Sequence, residues 1–406
     1  MRVLQLGVGS VGEVTARIVA NTKEISAVTL ADIDETRPRT VAAKLPAGKA
    51  TCLHLDATDH ESLLKALANV DLVINALAPD SNMDVMAACL EAETSYLDMA
   101  AGGPRDVVGT ADVDEEIALD GEFRKKGLTG LVFFGIDPGA SDVFARALYE
   151  QFDTVEAFTV LDGDNAELEG YDLACGFSPN TMIEECLLPP TGFAEDGKVR
   201  YEPLTRSFEF TFPHPVGRLR VWNVDHEESQ LIPWYLGDKG LRRADFFIAL
   251  DDFFVTMLRV ARALGLDRKE PLEFKGARFT PREFLVSRLP RPVDLYGKLT
   301  GQVCVGTLCE GLIRGRWTRR FMYQITDHQA VFREFGVQGT GFQTGVPAAC
   351  AAIMLAKGMI AEKGVLAPER IPAAPFLQLM TRYGAPWNVV DLPPDEGKAR
   401  SAGTAI

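Results

Sequence analysis

Residues 1–32 read MRVLQLGVGSVGEVTARIVANTKEISAVTLAD, and the expected fold follows from them. Arg2–Leu6 is a short apolar run of the kind that forms a buried parallel strand. It leads into Gly7-Val8-Gly9-Ser10-Val11-Gly12, after which apolar residues recur at helical spacing to about Asn21. A second apolar run, Ala27–Ala31, ends in Asp32. Strand, glycine loop, helix, strand and acidic residue, in that order and at that spacing, make a dinucleotide-binding βαβ fingerprint. Gly7 permits the tight turn, Gly9 lets backbone approach a pyrophosphate, and Gly12 lets helix and strand come close. Ser10 and Val11 open the helix, whose free N–H groups and positive dipole end suit phosphate.

The alternation continues beyond Asp32. Arg37–Leu45, Glu61–Leu67, Asn82–Glu91 and Val113–Lys126 read as helices, and Ala50–Leu55, Asp71–Ala76, Ser95–Asp98 and Leu131–Phe134 as strands. Such alternation implies an α/β fold, a Rossmann-type doubly wound parallel sheet whose ligands sit beyond the strand C-termini. Asp32, Asp56, Asn75, Ala76, Leu77, Asp98 and Asp137 all fall at that edge. Asp32 is placed to accept hydrogen bonds from both ribose hydroxyls and to repel a 2′-phosphate, so NAD is expected. Arg37 and Arg39 lie just beyond and leave NADP open. Asp56 is either an adenine-side contact or a turn aspartate, while Asn75, Ala76 and Leu77 are assigned to the cofactor.

Gly135-Ile136-Asp137-Pro138-Gly139 breaks any regular element and marks a change of domain. The division expected is a nucleotide-binding domain over 1–140, a second α+β domain with a largely antiparallel sheet over 141–345, a C-terminal helical part over 346–392 that returns to the first domain, and a disordered tail over 393–406. Within the second domain Ser141–Phe152 reads as a helix, as does the long amphipathic stretch Ala244–Leu264. Val155–Leu161, Arg206–Phe212, Gln302–Leu308 and Trp317–Ile325 read as strands.

Composition narrows the partners. The 406 residues carry 47% hydrophobic and 24% charged side chains, ordinary for a globular protein, and a formal charge of −15. That charge argues against nucleic acid or an anionic membrane as partner. No apolar run is long enough to span a bilayer, and no signal peptide is evident, so a cytoplasmic protein is expected. Seven scattered cysteines without a CxxC or Cys/His cluster suggest reduced thiols and no metal site. No nucleophile elbow or zinc motif is present, so the chemistry falls to a bound nicotinamide, with the protein supplying position and proton transfer. Among five histidines, His54 and His60 read as structural and His214 as solvent-facing. His226, in Asp225-His226-Glu227-Glu228, and His328, in Thr326-Asp327-His328-Gln329, each join an imidazole to a carboxylate, which can orient the ring and raise its pKa. Arg242 and Arg243 are either carboxylate clamps or surface arginines.

These segments carry a resemblance. Thr326-Asp327-His328-Gln329, Phe332-Arg333-Glu334 and Gln343-Thr344-Gly345-Val346-Pro347-Ala348 resemble the C-terminal signature of carboxynorspermidine dehydrogenases and bacterial saccharopine dehydrogenases. Asp225-His226-Glu227-Glu228 and Gly135-Ile136-Asp137-Pro138-Gly139 are similar to motifs of the same group. Tyr96-Leu97-Asp98-Met99-Ala100 and Phe177-Ser178-Pro179 have counterparts across the saccharopine dehydrogenase-like family, and Gly364-Val365-Leu366-Ala367-Pro368-Glu369 resembles the closing motif of its lysine 6-dehydrogenase branch.

The resemblance implies a homodimeric NAD(P)-dependent oxidoreductase that interconverts a secondary amine of saccharopine or carboxy(nor)spermidine type with an amine and a carbonyl through an imine. Its substrate is a small amine or amino acid. It implies catalytic roles for Asp137, His226 and Glu227, and substrate contacts from Asp98, Phe177, Ser178, His328 and Thr344. Ala31-Asp32-Ile33-Asp34 departs from the Ser/Thr-Arg pair of the carboxynorspermidine branch and is closer to the NAD-using lysine dehydrogenases. Oxidative deamination of a terminal amine, aminoalkyl transfer of the homospermidine synthase kind, and a non-catalytic nucleotide sensor are the alternatives.

Overall fold

The computed structural model describes residues 1–102, 112–171, 173–195 and 197–393. Strands β1 (Arg2–Leu6), β2 (Ala27–Asp32), β3 (Ala50–His54), β4 (Leu72–Asn75), β5 (Ser95–Leu97) and β6 (Thr129–Leu131) form a parallel sheet in the order β6-β5-β4-β1-β2-β3. Reversal of chain direction beside β1 opens the crevice into which the glycine loop projects. Between β1 and β2 runs helix α1 (Ser10–Ala20). Leu4, Leu6, Leu30, Val73 and Ile74 are fully or almost fully buried, and each such side chain contributes about 1.5–3 kcal/mol. The strand expected at Leu131–Phe134 falls earlier, because Phe133 has a positive φ of 69° that no strand accommodates.

Helix α2 (Ala140–Tyr149) leads into the second sheet. Its strands are β7 (Thr154–Asp164), β8 (Thr191–Ala194), β9 (Gly197–Arg200), β10 (Ser207–Phe212), β11 (Gly217–Asn223), β12 (Arg243–Ala249), β13 (Gln302–Ile313) and β14 (Arg316–Asp327). They run β9-β8-β12-β7-β13-β14, with β10 on β11 and β11 on β12. Every pairing is antiparallel except β12 with β7.

One expected element is wrong. Ala244–Leu264 is not a single helix but strand β12, then a break, then helix α3 (Asp252–Ala263). Apolar residues at 247, 250, 254, 257 and 260 mimic helical spacing, yet Ala244–Ile248 is buried between two neighbouring strands. Asp251 starts the helix by accepting from the Phe254 N–H at 2.8 Å.

Helix α4 (Gly339–Ala356) begins seven residues before the expected Val346. It crosses α1, with Gly341 and Gly345 at the contact. A Cβ on Gly341 would lie 2.8 Å from Ser10, and one on Gly345 2.7 Å from Val14. After α4 the chain serves both sheets: Gly364–Leu366 adds a parallel strand beside β6, and Trp387–Asp391 adds an antiparallel strand beside β14. The tail expectation lies outside the described residues from position 394 onward.

Candidate active site

The glycine loop fits a dinucleotide. Gly7 has φ 84°, and a Cβ there would strike the Ala76 carbonyl oxygen at 2.5 Å. A Cβ on Gly12 would lie 2.3 Å from the Gly7 carbonyl oxygen, so only glycine lets α1 approach this closely. Above Gly9 a Cβ would meet no atom within 4 Å, which leaves the space a pyrophosphate needs. No side chain caps the start of α1, so its first N–H groups, at Ser10 and Val11, face that space.

Asp32 sits half-buried at the end of β2, where its carboxylate accepts from the Val8 N–H at 2.8 Å and the Asp34 N–H at 2.9 Å. That tie locks the carboxylate against the glycine loop. Arg37 pairs with Asp34 at 3.5 Å and Arg39 with Glu35 at 3.3 Å. Asp56 is exposed, and its Oδ1 accepts from the N–H and hydroxyl of Thr58, the geometry of the turn alternative. Asn75 is buried; its amide donates to Asn82 and Tyr96 and its carbonyl accepts from the Leu77 N–H, which shapes the loop carrying Ala76 and Leu77.

On the far side of α4 a cavity of about 700 Å³ opens against the second sheet, with the 135–139 loop at its edge. Asp137, Asp162 and Asp164 line its interior, and Glu209, Arg220, Asp251 and Asp252 its mouth. Thr340 and Gln343 of α4 complete one wall and Phe177 another. Since Thr340 is followed by Gly341 against Ser10, one helix separates the glycine loop from this cavity.

Asp137 stands in the loop between β6 and α2, across a cis bond to Pro138. Gly135 and Gly139 bridge the base of this loop, and the Gly139 N–H donates to Asp142 Oδ2 at 2.8 Å. Burial pushes the Asp137 carboxyl well above the carboxylate range, and the charge of Asp162 adds to it, while His226 acts the other way. Asp162 is likewise pushed up to about 8 by burial and by Asp164.

His226 is 7% exposed, outside the cavity lining, and near enough for its charge to act on Asp137. Its Nδ1 is 2.5 Å from Glu228 Oε2 and 3.2 Å from Glu227 Oε2, and its ring stacks on Phe246 at 3.8 Å between centroids. Burial pulls its pKa down, but Glu228 and Glu227 overcome this and hold it well above the usual histidine value. Glu228 is completely buried and accepts from Ser141 Oγ at 2.7 Å. Glu227 accepts from the Ala101 N–H at 3.0 Å, tying the histidine to the β5 edge of the first sheet. His226, Glu227 and Glu228 are also the one trio of ligand atoms, among the described residues, close enough to hold a metal. Both carboxylates face the one ring nitrogen, so a protonated Nδ1 donates to Glu228 with Glu227 beside it.

The remaining expected residues are spread out. Thr344 lies on α4, where a Cβ on Gly135 would come within 3.3 Å of its methyl group. His328 is buried behind the cavity wall, its Nε2 3.2 Å from Asp164 and its Nδ1 accepting from the Gly339 N–H. Ser178 is exposed and caps the helix that starts at Pro179. Asp98 is 1% exposed, outside the cavity lining; it accepts from the Phe133 N–H at 2.6 Å and bonds Asn82. Arg242 pairs with Glu195 and Arg243 with Glu310, away from the cavity, as the surface reading of these arginines has it. His214 is exposed.

Sequence reasoning passed over Asp162, Asp164, Phe246 and Glu228. The signal for the first two was Asp162-Gly163-Asp164 at the end of β7, where alternate side chains share a face. Phe246 was hidden by the helical reading of β12.

Family models for the saccharopine dehydrogenase NADP binding domain and the saccharopine dehydrogenase C-terminal domain match residues 3–131 and 135–385. The chain belongs to the saccharopine dehydrogenase family. It is an NAD(P)-dependent dehydrogenase. It is 31% identical to a carboxyaminopropylagmatine dehydrogenase of Synechocystis sp., over 96% of this chain and 97% of that one. To a carboxynorspermidine synthase of Vibrio cholerae it is 29% identical, over 98% of each. The fold matches saccharopine dehydrogenase (L-Glu forming) from Saccharomyces cerevisiae with a TM-score of 0.72 at 17% identity, covering 97% of this chain and all of that one. Homospermidine synthase from Legionella pneumophila, solved with NAD, matches with the same TM-score at 14% identity, covering 100% and 94%. Among the described residues no helix is long and apolar enough to cross a membrane.

Proposed function

We propose that this enzyme joins a carbonyl compound to a dicationic amine and reduces the resulting imine, or runs that reaction in reverse. The acid-lined cavity carries the reading. Among the described residues, six carboxyl side chains line it against one guanidinium, that of Arg220, which Glu209 at 3.3 Å and Asp252 at 3.9 Å already engage. Burial and mutual repulsion favour the protonated forms of Asp137 and Asp162, which surrender their protons once a cation arrives. A di- or triamine or an agmatine-like guanidine supplies those charges. Glutamate brings two carboxylates and no second cation, so it fits such a cavity less well than a diamine does. The relatives named for carboxyaminopropylagmatine and carboxynorspermidine agree.

Bound nicotinamide supplies or accepts the hydride. His226, kept protonated by Glu228 and Glu227, is the acid that serves the nitrogen in reduction, and its neutral form is the base in oxidation; Asp137, on the cavity lining, is the carboxyl its charge reaches. NAD is preferred over NADP: Asp32 faces the ribose position, and Arg37 and Arg39 are engaged by Asp34 and Glu35. The exposed stripe Phe253, Met257 and Val260 on α3, continued by Leu264 at its C-cap, supports a homodimer, and seven free thiols support a reducing, cytoplasmic setting.

The test is oxidation of NADH by mixtures of semialdehyde and amine. Steady oxidation only when both are present supports the reading. NADH formation from lysine alone would replace it with oxidative deamination, and product without net change in NADH would replace it with aminoalkyl transfer.

A further inference from the structure

The closing motif Gly364-Val365-Leu366-Ala367-Pro368-Glu369 has no part in the chemistry above. Its strand seats on the edge of the first sheet, and the turn Pro368–Arg370 drives Glu369 into the protein beneath α2. Glu369 is 0% exposed, and neither of its carboxyl oxygens meets a hydrogen-bond donor among the described residues. Asp142 Oδ1, also completely buried, is in the same position. The turn Pro368–Arg370 packs against α2, and the two carboxyl groups lie close enough for each to perturb the other. Two ionised carboxylates offer only acceptors, so a bond between them requires a proton on one.

We propose that Glu369 and Asp142 share one proton, and that Glu369 is thereby a positioning residue for the Asp137 loop. Asp142 Oδ2 accepts from the Gly139 N–H at 2.8 Å and so closes the loop that carries Asp137. Its neighbour Ser141 donates to Glu228, which holds the His226 ring. Two adjacent residues in the first turn of α2 therefore reach both halves of the proposed proton-transfer pair. Glu369 supports that turn from the side away from the cavity.

The groups around the pair leave the shared proton as the way to satisfy it. Glu228 faces it from the helix Glu228–Leu236 and adds negative charge to both members. Tyr235, on the same helix, also feels Glu369. Arg146 of α2 gives its Nη1 to the Glu369 main-chain oxygen and its Nε to Glu150, and Arg370 pairs with Glu362. Burial pushes Glu369 up to about 7, and burial with the charge of Glu369 pushes Asp142 well above the carboxylate range. Loss of the shared proton sets two carboxylates against each other with no donor between them, and Asp142 is pressed against its bond to Gly139.

The sign of the linkage is fixed by that elevation. A carboxyl raised above its unfolded value of 4.5 contributes stability that is complete below that value and lost as pH rises through about 7. Glu369→Gln replaces the shared proton with a permanent amide donor, and Asp142→Asn does so from the other side. Thermal unfolding of the full-length wild type and both variants is measured at about pH 5 and about pH 8. The variant-minus-wild-type difference in Tm is expected to rise by roughly 2–4 °C between them. An offset that is the same at both pH values in both variants overturns the shared proton.

The positioning role rests on the reading of Asp137 and His226 as proton-transfer residues, and the unfolding measurement does not. For it, the pH profile of kcat is compared between wild type and Glu369→Gln. An inflection near neutral pH that is present in wild type and absent in the variant, on kcat and not on the amine KM, supports the role. Superimposable profiles overturn it.

Discussion

Glu228→Gln separates the charge that holds His226 protonated from the shape that holds it in place. Glutamine fills the same completely buried volume and can still bond Nδ1 and Ser141 Oγ, the two groups that Glu228 engages at 2.5 and 2.7 Å. The lost quantity is the charge assistance of a buried imidazolium–carboxylate contact, about 1.5–3 kcal/mol for hydrogen bonds to charged groups. At 1.36 kcal/mol per unit, this lowers the His226 pKa by about 1–2 units, with Glu227 at 3.2 Å retaining part of the elevation. In imine reduction the protonated ring is the active form, so the alkaline limb of kcat moves to lower pH by that amount. A second consequence has a fixed sign. The ion pair contributes stability that is complete below the unfolded histidine value of 6.5 and is lost as pH rises through the elevated folded value. The variant is therefore most destabilised relative to wild type in mildly acidic buffer. The assay is initial-rate NADH oxidation across the pH range, with thermal unfolding alongside. An alkaline limb that stays in place in a correctly folded Glu228→Gln enzyme refutes His226 as the group titrating there.

The other expectations concern the two binding sites. Gly12→Ala sets a methyl group 2.3 Å from the Gly7 carbonyl oxygen, a backbone clash, so Tm falls by an amount matching about 1–3 kcal/mol and NADH binding measured by fluorescence weakens. Asp32→Ser removes the carboxylate that would face a 2′-phosphate, so the kcat/KM ratio of NADH to NADPH falls by about tenfold or more, a loss of 1.4 kcal/mol of discrimination. Asp162→Asn takes one carboxyl from the cavity interior. The amine KM then rises by roughly tenfold while the carbonyl KM changes little, in line with one buried charge-assisted contact. In wild type, because burial and Asp164 hold Asp162 at about 8, the amine KM falls as pH rises toward that value.

The first half of the chain was legible because its signals are local. Gly7, Gly9 and Gly12 declare a conformation that other residues resist, and the alternation of apolar strand and amphipathic helix needs no partner to be recognised. The environment of His226 was legible too, because Glu227 and Glu228, its neighbours in sequence, are the groups that tune it, whereas Asp137 is tuned by Asp162 and His226, far away in sequence. The second sheet was harder. Ala244–Ile248 is buried on both faces, with Ala244, Phe246 and Ile248 in one apolar cluster and Phe247 in another, so it lacks the alternation that marks a strand. Its continuation into α3 supplied a false helical period. Asp162 and Asp164 gain their meaning only from β13 and from the 135–139 loop beside them. Asp98 shows the opposite error: an acidic residue at a strand end looks exposed to ligand, yet the Phe133 N–H and Asn82 close over it.

The most direct test of the account compares two amines in one assay. With NADH and a common semialdehyde, kcat/KM is measured for a dicationic di- or triamine and for glutamate. A cavity lined by Asp137, Asp162 and Asp164 predicts a preference for the dication of about a hundredfold or more, equivalent to about two charge-assisted contacts. Equal values, or a preference for glutamate, would contradict it.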